Sequence, residues 1–444
     1  TRNYKELRQL NLYPYVYGQD YDVRTLYRYS WLKNMNGKSP MKLRKGFLDI
    51  ETDILSSPGM PRPTKDPIDL VTIADGENKE CHTFILVGRP YEELSDREYA
   101  RLVVSKEERK RLWEERRKQE EKLVANPDII KEAAKREFDE KYPGFKYNVY
   151  FYTDEAKLIV HLFQCIHKIS PDFLMIWNIS FDIPYIIERC KVLGLNPADV
   201  ICDAEFMNKV CKFHKDTHNF EIKNKSDHFE VSSKTVYVDQ MENYAAIRKG
   251  RDELRQYRLD YIARKECEGE GKYIYEGKTA SLRFLGYIDL LTYILYNIKD
   301  TLLQYGIEEV VLDIDNLYRN AYANITPYEY CYMQTVVLRN VQYKYYDQQG
   351  LVPGANTNKI LIKIDMEQHP EKYAKRLKKP GIEGALVGNT RLINKFGQRL
   401  YGKRTNFIFI YSIDMDMKAF YPSTIMALNI SKSTLIFKVV VDCD

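Results

Sequence analysis

Residues 47–51 read FLDIE, an apolar strand carrying two acids. Successive side chains of a strand point to opposite faces, so Asp49 and Glu51, two positions apart, project together. Two carboxylates crowded on one face are unfavourable unless a cation neutralises them. Hard oxygen ligands of this kind suit Mg²⁺ or Mn²⁺, and two such ions about 4 Å apart can clamp a phosphodiester for hydrolysis. One D-x-E is a weak signal, because a surface strand can carry the same letters. Further acids have to come from elsewhere in the chain.

Two stretches supply them. The apolar strand DFLMIW (172–177) feeds the helix FDIPYIIERCKVLGL (181–195), which sets Asp182 at the helix start, well placed to join the strand acids. In YNIKD (296–300), inside a helical region over 281–312, Asp300 follows Tyr296 by about one turn, so phenol and carboxylate share a face. Around these, IDLVTIADGENKECHTFILVG (68–88) reads as two strands joined by a D-G turn, and YNVYFY (147–152) as a strand before the amphipathic helix TDEAKLIVHLFQCIHKI. The class is α/β, with strand ends feeding helices.

Two segments interrupt the alternation. Residues 92–141 contain SKEERKRLWEERRKQEEK, with opposite charges at i, i+4 spacing, which predicts an inserted, solvent-exposed helical hairpin. The alternative, a basic helix gripping DNA, is disfavoured because the charges nearly cancel. Residues 212–236 are polar and predict an exposed hairpin; His214 and His218 lie four apart in it, but an exposed loop without a carboxylate frame is a poor metal site.

The chain has 444 residues, 44% of them hydrophobic and 30% charged, enough for two or three domains. No run of eighteen apolar residues and no basic-then-apolar leader is visible, so a soluble, cytoplasmic protein is expected, with no membrane partner. Eight cysteines lack any C-x-x-C spacing, which argues for free thiols rather than zinc or a disulfide framework. A formal charge of +5 is only mildly basic, so nucleic-acid binding would have to come from local patches.

Taken together, FLDIE, WNISFD (177–182) and YNIKD resemble the three exonuclease motifs of family B replicative DNA polymerases, especially those of tailed phages. The resemblance extends further. VDQMENYAAIRKGRDELRQYRLDYIARKE (238–266) followed by GKYIYEG resembles the segment between the second and third motifs, PGIEGALVGN (380–389) the Y-x-G-G-x-V element that links exonuclease to polymerase, and SIDMDMKAFYPSTIMALNISKSTL (412–435) the first palm motif. Two departures stand out: the gap between Asn178 and Phe181 is one residue shorter than in many relatives, and Glu383-Gly384 replaces Gly-Gly.

The resemblance implies an RNase H-like 3′–5′ exonuclease domain over 46–312, a small N-terminal α+β domain built from 1–45 and about 313–375, and an incomplete palm from 376 to 444. It implies that Asp49, Glu51, Asp182 and Asp300 hold two Mg²⁺ or Mn²⁺ ions, with Tyr296 orienting the attacking water at a single-stranded 3′ end. Phe181 and Asn178 would meet that DNA end, and the 212–236 hairpin would correspond to the strand-separating hairpin of the family. For the palm it implies that Asp416 and the carbonyl of Met417 bind polymerase metals, also two, and that Tyr421 lies under the sugar of the incoming dNTP. Gly384, Lys378, Lys379 and Arg391 are expected to contact primer-template DNA.

Polymerisation also needs a second palm aspartate and a basic fingers helix. VVVDCD at 439–444 imitates the former, but only 26 positions separate Asp442 from Asp416 (442 − 416), too few for a fingers domain, and the helix signature is absent. The expectation is a family B polymerase, partial or split, whose fingers, remaining palm and thumb come from a second chain or a missing C-terminal part; a sliding clamp is a further expected partner. The competing readings are a freestanding DNA exonuclease and a non-catalytic DNA-binding scaffold. If the chain is phage-encoded, its compartment is the host cytoplasm.

Overall fold

The computed structural model describes residues 23–34, 42–102, 104–250, 252–273 and 284–351. Asp416, Met417, Tyr421, Gly384, Lys378, Lys379 and Arg391 lie outside the described residues, as does VVVDCD.

The described chain opens with helix α1 (Val23–Asn34), followed by strands β1 (Lys45–Thr52), β2 (Ile68–Asp75) and β3 (Glu80–Leu86). The insertion contributes α2 (Lys106–Ala125) and α3 (Asp128–Phe138) before β4 (Lys146–Tyr152). Then come α4 (Glu155–Ile169), β5 (Phe173–Ile176) and α5 (Ile179–Val192), a hairpin of β6 (Cys211–His214) and β7 (His228–Val231), and β8 (Val236–Asp239). Helices α6 (Gln240–Ile247), α7 (Leu259–Glu266), α8 (Leu290–Val311), α9 (Asp313–Ala323) and α10 (Gln334–Gln348) complete it.

Six strands form one mixed sheet in the order β4-β3-β2-β1-β5-β8. β1, β2 and β3 are an antiparallel meander, while β5 runs parallel to β1, β8 parallel to β5, and β4 parallel to β3. The meander turn follows its residues: the Asp75 carboxylate accepts from the N–H groups of Glu77 and Asn78, at 3.0 and 3.2 Å. A mixed sheet with helices on both faces is the RNase H-like α/β arrangement expected from the sequence.

β1 is buried on both faces, so its apolar residues divide by parity. Leu48 and Ile50 face a core shared with Leu158, Leu162 and Ile183 of α4 and α5. Phe47 faces the opposite core, with Ile298 and Leu302 of α8 and Ala133 and Ala134 of α3. Each such aliphatic side chain is worth about 1.5–3 kcal/mol relative to exposure. Asp49 and Glu51 share the parity of Phe47 and therefore look toward α8.

The insertion departs from expectation. It is a helical hairpin, but α2 is not a solvated rod: Arg109, Leu112, Arg116, Glu120 and Leu123 recur at helical spacing and are buried. The pattern escaped the reading because three of those five residues are charged, so the buried stripe carries no apolar periodicity. The 212–236 hairpin is as expected, with Cys211 opposite Val231 and His214 opposite His228. His214 stacks on His228 and bonds Glu230 at 2.9 Å. Cys81, Cys165, Cys190, Cys202, Cys211, Cys267 and Cys331 are free thiols. Among the described residues no helix is long and apolar enough to cross a membrane.

Candidate active site

Two elements far apart in sequence build the site. β1 delivers Asp49 and Glu51; α8, lying against β1 and β2, delivers Tyr296 and Asp300 from one face. Asp289 starts α8 by capping it, its carboxylate accepting from the Thr292 N–H at 3.0 Å. The crossing is fixed by two amides of α8. Asn297 donates to Asp49 Oδ2 at 2.7 Å, and Gln304 donates to the Leu48 carbonyl at 3.3 Å.

A carboxylate oxygen from each of Asp49, Glu51 and Asp300 lies within 4.8 Å of the others. Asp300 is buried, and one of its oxygens, Oδ1, has no hydrogen-bond partner. Three converging carboxylates with an unsatisfied buried oxygen fit a hard divalent cation. Asp182, buried at the first turn of α5, is not within that close set. It lies against the backbone N–H of Ile50 and feels the charge of Asp49, so it flanks the three rather than joining them.

The electrostatics carry the same message. Burial, then the charge of Asp300, pushes Asp49 up to about 7. Glu51 is held well above the usual carboxylate range by burial and by Asp49 and Asp300, and Asp182 by burial and by Asp49. Asp300 is raised by burial despite the opposing charge of Lys272. Clustered acids shifted this way lack sufficient positive charge, and a bound cation would supply it.

Lys272 is the side chain the sequence reading did not single out. Its ammonium pairs with Asp300 and donates to the Tyr296 hydroxyl at 3.1 Å. Burial opposes the lysine's charge, but Asp300, Tyr296 and Asp49 hold its pKa above the ordinary value. Tyr296 is pushed up to about 12, first by burial and then by Asp300, so it keeps its proton at neutral pH. Lys272 is the one lysine of GKYIYEG (271–277), but nothing in those letters ties it to an acid 28 positions later. Asn297 was legible in principle, as a fully buried amide beside Tyr296 on a helix otherwise rich in Leu and Ile.

Asn178 and Phe181 stand at the mouth of α5. Asn178 adopts φ 73°, ψ 61°, a left-handed conformation that Asn tolerates better than most residues. The Phe181 ring is half-buried against Tyr185, centroids 5.4 Å apart. Asp239, at the end of β8, accepts from the Ile179 N–H at 2.8 Å and the Glu242 N–H at 2.8 Å, tying the starts of α5 and α6 together.

A comparison with curated proteins finds no match to the chain. Residues 47–262 match the family model of the DNA polymerase family B exonuclease domain, a span that contains Asp49, Glu51 and Asp182 and stops short of Tyr296 and Asp300. The matched segment is thus similar to a 3′–5′ proofreading exonuclease, and α8, beyond it, brings the further carboxylate to the same cluster.

Proposed function

We propose that this chain is the N-terminal part or subunit of a family B DNA polymerase, and that its described portion removes mispaired nucleotides from a single-stranded 3′ end. The observation that carries the reading is the meeting of Asp49, Glu51 and Asp300, from β1 and α8, in a chain whose residues 47–262 match the family B exonuclease model.

In this reading Asp49, Glu51 and Asp300 hold divalent cations, with Asp182 completing the frame from α5. Bound Mg²⁺ or Mn²⁺ supplies Lewis-acid stabilisation of the phosphodiester and a hydroxide nucleophile at neutral pH. The protein's own groups position the reaction. Tyr296, protonated at neutral pH, can donate a hydrogen bond to the attacking water. Lys272 holds that phenol from the other side and offers positive charge near the scissile phosphate. Asn297 fixes one oxygen of Asp49, so the carboxylate presents the other. Phe181 and Asn178, at the start of α5, would meet the unpaired terminal base.

An N-terminal domain made from both sides of the exonuclease is supported by α1. Arg24 pairs with Glu329 at 2.9 Å, Arg28 donates to the Thr326 carbonyl at 2.9 Å, and Tyr29 packs edge-on against Tyr343. The palm assignment of Asp416, Met417 and Tyr421, the DNA contact of Gly384, the dNTP, the second chain, the clamp and the cytoplasmic, phage-type setting rest on the sequence resemblance, and the DNA contacts of Lys378, Lys379 and Arg391 on the basic character of residues 372–404.

The test is one labelled primer-template assayed with Mg²⁺ for 3′ digestion and for extension, first with this chain alone and then with a candidate partner. Digestion alone, with extension appearing on addition of the partner, is the expected result. Digestion without extension under every condition would reduce the chain to an exonuclease, and absence of digestion of single-stranded ends would remove the reading altogether.

A further inference from the structure

The α2–α3 insertion has no role in the reading so far, yet its buried face meets both elements that carry the candidate ligands. Toward α8, Gln119 donates to the carbonyls of Tyr287 and Ile288 at 3.1 and 3.2 Å and accepts from the Leu290 N–H at 2.7 Å. That last N–H belongs to the first turn of α8, so a side chain of the insertion caps the helix bearing Asp300. Toward β1, Arg116 grips Asp69 with two bonds of 2.8 Å and the Leu86 carbonyl at 3.1 Å, and bonds Glu120 at 2.8 Å.

Asp69 occupies a meaningful position. Glu51 pairs with Leu70 and Thr52 with Ile68, so Asp69 is the extra residue of a bulge in β2, beside Glu51. Bulges re-aim side chains, and this one turns Asp69 to Arg116. The Arg116 guanidinium also lies over the Tyr287 ring, 5.1 Å from its centroid, and the Tyr287 hydroxyl donates to Asp53, two residues beyond Glu51 on the same strand exit. Arg89 pairs with the same Asp53 carboxylate. One helix of the insertion therefore ties the exit of β1 to the entrance of α8.

We infer that the insertion is a positioning element of the exonuclease site, in which Arg116 and Gln119 lock β1 against the start of α8 so that Glu51 and Asp300 can share one cation. β1 and α8 are joined covalently only through more than two hundred residues, so their relative placement depends on such cross-ties. Arg116 and Gln119 act through Tyr287, Asp53 and the helix cap, and touch no ligand themselves. The inference rests on the proposed exonuclease reading.

The experiment is a Mn²⁺ titration followed by electron paramagnetic resonance on the full chain, with thermal melting alongside. Gln119→Met keeps the side-chain length and removes both hydrogen-bonding ends; Arg116→Lys keeps the charge and loses the bidentate grip and the stacking. Each is expected to weaken Mn²⁺ binding about tenfold at a temperature where circular dichroism reports the wild-type fold, while Glu121→Gln, on the exposed face of α2, leaves it unchanged. Variants that melt earlier yet bind Mn²⁺ as tightly as wild type would overturn the inference and leave the insertion a scaffold. If Arg116→Lys does not fold, Gln119→Met decides alone. Asp300→Ala is the control for the underlying reading: should it leave Mn²⁺ binding intact, the metal assignment fails, a result distinct from failure of the positioning role.

Discussion

Two clusters of buried charge lie close together in this protein and are built on opposite principles. Around Arg116 the charges alternate: Asp69, Glu120 and Asp53 meet Arg116 and Arg89, and Asp69 engages Arg116 through two oxygens. Around Asp300 the acids crowd together, and Asp49, Glu51, Asp182 and Asp300 are all raised although Lys272 pairs with Asp300 and Lys299 adds a smaller opposing charge. The paired cluster has its counter-charges built in and serves the fold. The acidic cluster lacks them, and a group so arranged stores affinity for an external cation. Composition alone does not separate the two; pairing does.

The contrast can be broken most decisively at the acids. Replacing Asp49 and Glu51 together by alanine is expected to lower Mg²⁺-dependent digestion of single-stranded 3′ ends by at least about a thousandfold, equivalent to roughly 4 kcal/mol of transition-state stabilisation. Digestion at the wild-type rate would refute the site. Glu51→Ala alone should leave the metal-free protein at least as heat-stable as wild type at pH 8, because it removes a buried charge raised by Asp49 and Asp300 while leaving the Asn297–Asp49 bond in place.

At the paired cluster the opposite is expected. Arg116→Met strands Asp69 and Glu120 in the interior and should destabilise the protein by about 3–5 kcal/mol in urea unfolding, with or without metal. A loss below about 1 kcal/mol would mean that the acids find other partners.

Third, the acidic cluster predicts a particular pH response. Asp49 has a folded pKa near 7, above its unfolded value, so the native state holds more protons and stability falls as pH rises from about 4 toward 7. Mn²⁺ competes with those protons, so its affinity should increase between pH 6 and 8, and saturating Mn²⁺ should flatten the decline in melting temperature. An affinity independent of pH over that window would contradict the raised carboxyls.

The smallest effect is expected at Lys272. Its head is one-third exposed, so Lys272→Met should lower metal-free stability by about 1 kcal/mol or less at pH 8, with Mn²⁺ restoring it. A gain in metal-free stability would show that burial of the ammonium outweighs its pairing with Asp300.

Much of this was legible in the letters. Parity along FLDIE put Asp49 and Glu51 on one face, and the 3.6-residue repeat put Tyr296 beside Asp300, because both are properties of a local backbone. The meander and the α/β alternation followed from apolar periodicity and turn residues, and the 212–236 hairpin from its polar composition. What stayed hidden depends on contacts distant in sequence. Asp182 looked equivalent to the other acids, yet from the first turn of α5 it stands outside the close set of Asp49, Glu51 and Asp300. Lys272 has no local signal at all. The insertion was misread because a helix that buries arginine and glutamate against compensating charges looks, by hydropathy alone, like one that faces water.

The convergence of β1 and α8 has a consequence for a chain still being made. Glu51 and Asp300 are 249 positions apart (300 − 51), so at ribosomal speeds of about 5–20 residues per second roughly 12–50 s pass between them. Throughout that interval the nascent domain holds its strand acids and lacks the third. On the proposed reading, a nuclease assembled in this order would be inert while it is being born and would become capable of cutting only after α8 emerges and docks.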